Sequence, residues 1–261
     1  MNEINKTAYI PLYGKAFVSK KNIILKDQTA EKIWDEVEFK LKRKSKSKWL
    51  AYFMAMRARV FDEWVMDKIK DKKGATVIHI GCGLDSRIKR LSLKNIKWYD
   101  VDLEEVINLR KKYFIEKENY KMVIGDASKT DWLSQIEDND NAIILLEGIS
   151  MYLSFNAINN LFSVLENKFV NINILMDIYT TFGVKMSKYK NPINDVGVKK
   201  VFGFDNPNSI LDNTNIKFTN EHSLTPLNLV NELMGFEHKF FKIMFTGKFA
   251  KKMYKLYEYC K

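Results

Sequence analysis

Apolar residues recur at helical spacing over the first seventy or so positions of the chain. Ile33 and Val37 follow a possible N-cap at Thr29 and fall on one side of a helix that runs into a basic segment. A second helix is predicted from about residue 49 to 70, with apolar positions near one face. The pattern therefore predicts an N-terminal helical cap over residues 1–73.

Beyond the cap, the period changes to short runs rich in β-branched residues that alternate with helical segments. The five runs that read as strands are 75–80, 96–101, 120–124, 141–146 and 172–177. Alternation of this kind implies right-handed crossovers and a mainly parallel sheet. A late strand at 236–245 and an antiparallel final strand within 248–261 would complete a doubly wound α/β sheet of seven strands.

The regular alternation stops between the fifth run and the late strand. Residues 178–223 hold Pro192, Gly197 and Gly203 among aromatic residues and lysines, without a clean period. Irregular segments of this length in compact domains are typically lids or binding loops. We therefore predict a lid insertion at about 178–223 within a core domain of residues 74–261.

Composition narrows the class of protein. Hydrophobic residues make up 46% of the chain and aromatic residues 13%, enough for a globular core. Cys82 and Cys260 form no disulfide framework and have no metal-ligand spacing, so no metal is expected. The longest apolar runs are too short to span a membrane, and the first residues lead into no signal sequence. We expect a cytoplasmic protein without a membrane partner.

The formal net charge of +11 raises the possibility of a nucleic-acid partner. The densest basic cluster, residues 40–48, lacks interleaved aromatic residues. It is typical of a helix end that runs into a solvated loop, so nucleic-acid binding is not the favoured interpretation.

The strongest chemical signal is a Gly-x-Gly turn, Gly81 and Gly83, directly after the first strand. Such a turn lets the backbone approach a nucleotide, and the helix that follows offers free N–H groups. Dinucleotide sites normally carry a third glycine, and Ser86 stands at that position here. The turn alone does not identify the ligand, although Ser86 counts against a dinucleotide.

Carboxylates follow the next two strands. Asp100 and Asp102 lie about twenty residues past the glycines, where an acid can accept both ribose hydroxyls of an adenosine ligand. Asp102 could instead cap the helix that starts near Leu103. Asp126 ends the third strand, where a carboxylate can take an adenine amino group or simply form a turn.

Glu147 follows the fourth strand directly and would face the crevice where ligands bind in such sheets. A glycine or carboxylate at one strand end is common by chance, but such residues at four successive strand ends are not. Together they predict an adenosine-containing cofactor at the carboxyl edge of the sheet.

At this point the residues resemble the leucine carboxyl methyltransferase family, and within it the bacterial tetracenomycin-type polyketide O-methyltransferase branch. The resemblance extends from about Ile24 to Leu161. Its motifs stand at residues 24–30, at Arg57 with Phe61 and Asp62, and at 77–87, 99–103 and 147–153. It implies a Rossmann-like class I methyltransferase that binds S-adenosylmethionine.

The resemblance assigns roles to the first part of the cofactor site. Arg57 would hold the methionyl carboxylate of the cofactor through a charge-assisted contact. Gly81 and Gly83 would line the methionine and the ribose, and Asp102, rather than Asp100, stands at the ribose-binding position.

The same resemblance covers the adenine and acceptor sides. Asp126 with the backbone of Ala127 would address the adenine, and Glu147 would face the aminopropyl region. Tyr152 would border the acceptor.

The expected activity is methyl transfer to a carboxylate or a phenolic hydroxyl of a small molecule. Tyr152 and His222, the latter in the loop before Thr225, are the candidate catalytic residues, although no general base is assigned. His79 is expected to be a buried structural histidine, and Cys82 an inert thiol. Two alternatives remain: an RNA-directed methyltransferase, suggested by the charge, and a non-catalytic S-adenosylmethionine-binding protein with a closed substrate side.

Overall fold

The computed structural model describes residues 6–41, 43–70, 74–190 and 200–261. Its N-terminal part is helical: α1 (Tyr9–Lys20), α2 (Gln28–Glu36) and α3 (Lys48–Lys70). The predicted N-cap at Thr29 is wrong, because the Ala30 amide donates to Asp27 Oδ1 at 2.8 Å and α2 therefore starts two residues earlier.

The alternating part of the chain follows the prediction closely. Its elements are β1 (Thr76–Ile80), α4 (Arg87–Leu91), β2 (Lys97–Asp102), α5 (Glu104–Arg110), β3 (Tyr120–Ile124), β4 (Asn141–Leu146), α6 (Phe155–Lys168) and β5 (Asn171–Tyr179). Strands β1 and β4 are almost entirely buried, as expected for central parallel strands covered on both faces.

The C-terminal part departs from the prediction. It contains α7 (Thr181–Lys190), β6 (Lys217–His222), α8 (Leu227–Val230), α9 (Gly235–Phe245), α10 (Lys248–Lys251) and β7 (Tyr254–Cys260). The predicted strand at 236–245 is wrong, because these residues form α9, with Phe241 buried against the protein and Ile243 exposed. Short apolar runs fit either element, and only packing decides between them.

The predicted irregular segment 178–223 also holds regular structure. Helix α7 and the edge strand β6 lie within it, so the interpretation as a continuous loop is wrong there. Pro192 and Gly197 lie outside the described residues. A lid function for this segment stays a prediction.

The sheet has seven strands in the order β3-β2-β1-β4-β5-β7-β6. Strands β1 to β5 pair in parallel, while β7 pairs antiparallel with both β5 and β6. The mainly parallel seven-stranded sheet is thus confirmed. Because β1 to β5 run in the same direction, their carboxyl ends meet at one edge, where the candidate residues follow them.

The N-terminal and C-terminal helices pack together over this edge. Tyr52 and Met56 of α3 share a buried cluster with Leu229 of α8 and with Phe241 of α9. Residues from both ends of the chain therefore enclose the carboxyl edge of the sheet. Within the described chain, no helix combines the length and the apolarity needed to cross a membrane.

Candidate functional site

A cavity of about 810 Å³ opens at the carboxyl edge of the parallel strands. Its floor is formed by the segments that follow β1, β2, β3 and β4, and its opposite wall by α3, α9 and α10. Ligand cavities usually measure roughly 300–1,000 Å³, so the space suits a nucleotide-sized ligand with a second small molecule.

The glycine turn forms part of this floor. Gly81 and Gly83 both adopt positive φ, +68° and +53°, which side-chain-bearing residues rarely do. A Cβ on Gly81 would lie 2.7 Å from the Cβ of Ile149. The turn therefore needs glycine at residue 81 for both backbone and space.

Asp102 lies at the cavity and anchors the turn. The amides of Gly83 and Leu103 donate to its two carboxylate oxygens at 2.7 and 2.8 Å. Helix α5 has no side-chain cap, so Asp102 ties the turn to β2 rather than capping the helix. Burial raises its pKa to about 6, and each oxygen can still accept a further hydrogen bond.

Asp100 does not border the cavity. It accepts hydrogen bonds from Trp98 Nε1 at 2.8 Å and from the Tyr120 hydroxyl at 2.7 Å, and it pairs with Arg110. Its carboxylate is committed within the protein, and the structure places only Asp102 of the two where a ligand can reach.

Asp126 and Ala127 also border the cavity. The amide and hydroxyl of Ser128 donate to Asp126 Oδ1 at 2.9 and 2.7 Å, which forms an Asx turn. Asp126 is thus a turn residue and a cavity residue at once.

Glu147 is held between two arginines. Arg57 Nε donates to one of its oxygens at 3.1 Å, and Arg87 Nη2 donates to the other at 2.6 Å. Burial alone would raise the pKa of Glu147, but Arg87 and Arg57 lower it to about 2. The carboxylate is therefore ionised and fixes Arg57 at the cavity wall.

Asp177, which the sequence analysis missed, lies behind the cavity wall and holds Arg57 in place. It ends the fifth strand run, accepts from Arg57 Nη1 at 3.0 Å and from the Gly148 amide at 2.7 Å, and is fully buried. Burial raises its pKa to about 6. It ends the predicted run 172–177, the same signal that identified Glu147, although β5 itself continues to Tyr179.

A buried ionic network supports the turn from behind. Asp62 on α3 receives Arg87 Nε at 2.6 Å and Arg90 Nε at 2.6 Å, and Lys15 on α1 pairs with Asp85 at 2.5 Å. Residues 85–90 are thus fixed to two helices of the predicted cap. In a dinucleotide-binding fold, a third glycine at the position of Ser86 lets the helix pack closely on the strand. Here ion pairs hold this segment in place.

His79 belongs to the same layer. Its Nε2 lies 3.4 Å from Arg87 Nη1, and burial, with the adjacent Arg87 charge, lowers its pKa to about 4. The ring is neutral at physiological pH, in line with a structural role. The Cys82 thiol is also buried, which raises its pKa, so it is protonated.

The other half of the cavity is apolar. It is lined by Phe53 and Met54 of α3, Phe240 and Phe245 of α9, Phe249 of α10 and Tyr254 of β7. The sequence analysis identified none of these residues, because their approach depends on how the C-terminal helices fold back over α3. Tyr152 lies in the wall of the cavity, where burial raises its pKa above the usual range.

His222 lies away from the cavity, which contradicts its assignment as a candidate catalytic residue. It ends the edge strand β6, and its Nε2 lies 2.6 Å from Glu258 Oε2 on the neighbouring strand. Lys68 contacts the other oxygen of that carboxylate at 2.6 Å. Among the described residues, no group of histidine, cysteine and acidic side chains is arranged to hold a metal ion.

Known proteins resemble this chain in sequence and in fold. The chain is 25% identical over 209 residues to the tetracenomycin polyketide synthesis O-methyltransferase TcmP of Streptomyces glaucescens, covering 79% of this chain and 77% of that protein. It is also 25% identical to the S-adenosyl-L-methionine-dependent methyltransferase dpfgK of Gibberella zeae, covering 78% and 76%.

The fold matches that of magnesium protoporphyrin IX methyltransferase from Synechocystis PCC 6803, solved with bound SAH. The TM-score is 0.52 at 11% identity, over 90% of this chain and 93% of the other. The fold is therefore that of the Rossmann-like class I methyltransferases. The family model for leucine carboxyl methyltransferase matches residues 8–166, more than half of the chain, and the protein belongs to the leucine carboxyl methyltransferase family.

Proposed function

We propose that this protein transfers the methyl group of S-adenosylmethionine to a carboxylate or phenolic oxygen of a small apolar molecule. The observation that carries the proposal is one cavity of about 810 Å³ that joins a polar half at the strand ends to an apolar half under α9 and α10. The polar half suits the cofactor and the apolar half the acceptor. The O-methyltransferase relatives support the same reaction class.

The polar half fits the cofactor residue by residue. Gly81 and Gly83 leave room for the methionine and ribose, and Asp102 is the acceptor for ribose hydroxyls. Asp126 and the Ala127 backbone would take the adenine.

Arg57 is the group suited to the methionyl carboxylate. Its Nε donates to Glu147, and its Nη1 donates to Asp177 and to the Tyr254 hydroxyl. Nη2 lies beside Gly148, where an added Cβ would approach it to 3.1 Å. A charged donor held next to a bare backbone is a suitable cradle for a carboxylate, and Glu147 orients that donor.

When bound, S-adenosylmethionine supplies an electrophilic methyl carbon. The chain's part is to align the acceptor oxygen with it and to exclude water, which the aromatic wall of the cavity favours. Tyr152 is protonated at neutral pH, so its hydroxyl can donate to an acceptor oxygen. A carboxylate acceptor is already ionised near neutral pH and needs no general base.

The proposal is tested in two steps. S-adenosylhomocysteine should raise the melting temperature while NAD should not, because only a ligand that binds the folded state stabilises it. Purified protein with radiolabelled S-adenosylmethionine should then label members of a panel of aromatic carboxylic acids and phenols. Absence of any shift at millimolar S-adenosylhomocysteine would refute the cofactor assignment. A shift without labelling would favour the non-catalytic alternative, which the open apolar half of the cavity speaks against.

A further inference from the structure

The helices over the cavity carry exposed apolar side chains. Met234, Phe236, Ile243, Met244 and Phe249 expose between 52% and 84% of their surface, and we call them the mouth patch. Single exposed apolar residues are ordinary, but five within sixteen residues of chain are not.

Helical geometry aligns part of this patch. Phe236, Phe240 and Ile243 stand at i, i+4 and i+7 on α9, and Phe241 faces the protein core. Phe240 and Met244 also line the cavity, so the mouth patch continues into its apolar half. The exposed face and the cavity form one apolar surface.

Lysines surround the mouth patch. Residues 234–252 contain five lysines, Lys239, Lys242, Lys248, Lys251 and Lys252, and one acid, Glu237. Glu237 is already neutralised by Lys48 at 2.7 Å and bonded by the Tyr52 hydroxyl. Lys44, from the basic segment, also borders the cavity. The face is therefore apolar at its centre and positively charged around it.

We propose that this face docks on the surface of a bilayer that contains acidic lipids. Aromatic and aliphatic side chains at the centre would enter the boundary between headgroups and acyl chains, and the lysines would meet acidic headgroups. The sequence predicts no membrane partner because it has no spanning segment, but surface docking requires none. If the proposed function also holds, an apolar acceptor reaches the cavity from the bilayer.

Charge and chemistry favour a bilayer over other occupants. In a symmetric dimer through this face, the five lysines of one copy would oppose those of the other. RNA would pair with the lysines but would leave the aliphatic side chains of Ile243 and Met234 without a partner. An acidic bilayer satisfies both the apolar centre and the basic surroundings.

Vesicle flotation tests the proposal with the full-length protein. It should float with phosphatidylcholine vesicles that contain phosphatidylserine, and much less with phosphatidylcholine alone. The double variant Phe236→Ser/Ile243→Ser should weaken binding at least tenfold, since each side chain loses its apolar burial. Lys239→Glu/Lys242→Glu should weaken it by more than about twentyfold, because each lysine near such a surface contributes roughly fivefold.

Matched controls come from exposed positions remote from the cavity. Ile115→Ser/Val170→Ser removes two exposed aliphatic side chains, and Lys94→Glu/Lys117→Glu reverses two exposed lysines. Both should float like the wild type. The shift in melting temperature with S-adenosylhomocysteine, measured for every variant, reports folding and the cofactor site separately from docking.

Three outcomes would overturn the proposal. One is that Phe236→Ser/Ile243→Ser and Lys239→Glu/Lys242→Glu both float to the same extent as the wild type. Another is binding lost with the lysines but unchanged in Phe236→Ser/Ile243→Ser and displaced by an RNA oligonucleotide, which indicates a nucleic-acid surface. The third is a dimer in sedimentation velocity that the same double variant dissociates, which indicates a second copy on this face.

Discussion

Substitution of Glu147 by glutamine removes one charge from the buried cluster at the cavity. The side chain keeps its size, but its new amide group would face a charged donor of Arg87 or Arg57. Removal of one partner from a buried pair costs about 3–5 kcal/mol, because the remaining charge stays buried without compensation. At this chain length such a loss lowers the melting temperature by about 10 °C.

The lowered pKa of Glu147 gives an independent value for the same loss of unfolding free energy. Its value of about 2, compared with 4.5 in the unfolded chain, corresponds to about 3 kcal/mol of stability. Because the folded pKa is the lower one, this stability is present above pH 4.5 and is lost as the pH falls towards 2. The difference between wild type and Glu147→Gln should therefore shrink on acidification.

Chemical denaturation from pH 2.5 to 8 measures this difference, and the range includes the interval below pH 4.5 in which it should shrink. Glu137→Gln is the matched control, since Glu137 forms an exposed pair with Lys97, and its unfolding free energy should not change measurably. Asp102, whose pKa burial raises, is present in both proteins and cancels in the comparison. Glu147 contributes to the raised pKa of Asp177, so that pKa should also fall in the variant. If Glu147→Gln unfolds like the control at pH 7, the buried pairs do not stabilise the fold as described.

Three further substitutions probe the site. Gly81→Ala should abolish the cofactor-induced rise in melting temperature, because its Cβ meets Ile149, whereas Gly74→Ala has equally positive φ but open space and should keep the rise. Asp102→Ala should weaken S-adenosylhomocysteine binding at least tenfold by calorimetry, and in the wild type affinity should fall as the pH drops through about 6. His222→Ala should leave methyl transfer unchanged, since the ring lies away from the cavity.

Each of these predictions has a contradicting result. Cofactor binding by Gly81→Ala at wild-type strength would mean that the turn does not approach the ligand. Unchanged affinity in Asp102→Ala would limit Asp102 to anchoring the glycine turn. A large loss of turnover in His222→Ala, with normal stability, would require a different path of the segment before α8.

The parallel core was predictable because its signals are local. Buried strands appear as continuous apolar runs, and each ends in a polar or glycine residue that marks the sheet edge. Asp102, Asp126 and Glu147 were found in this way, and Asp177 could have been found by the same rule. Arg57 required the family resemblance, because an arginine within a helix carries no signal of its own.

The rest depended on tertiary packing. Strand β6 is largely exposed and polar, so it shows no alternation that would distinguish it from a loop. Because this segment was interpreted as a loop, His222 was expected near the acceptor, whereas it ends β6 away from the cavity. The apolar run in α9 fits a strand or a helix, and its choice is settled by packing on α3. The apolar half of the cavity, to which α9 and α10 contribute, was therefore beyond sequence reasoning.

Helix α3 contributes side chains to both halves of the cavity. Phe53 faces the apolar half and Arg57 the polar half, one helical turn apart on a helix about 35 Å long. If one ligand restricts the motion of this helix, the other ligand no longer has to do so, and its own entropic cost of binding is smaller. Any cooperativity must be reciprocal: the factor by which the cofactor improves acceptor affinity equals the factor by which the acceptor improves cofactor affinity. Positive cooperativity of this kind would favour the ternary complex over either binary one, and titration of each ligand in the presence of the other measures it.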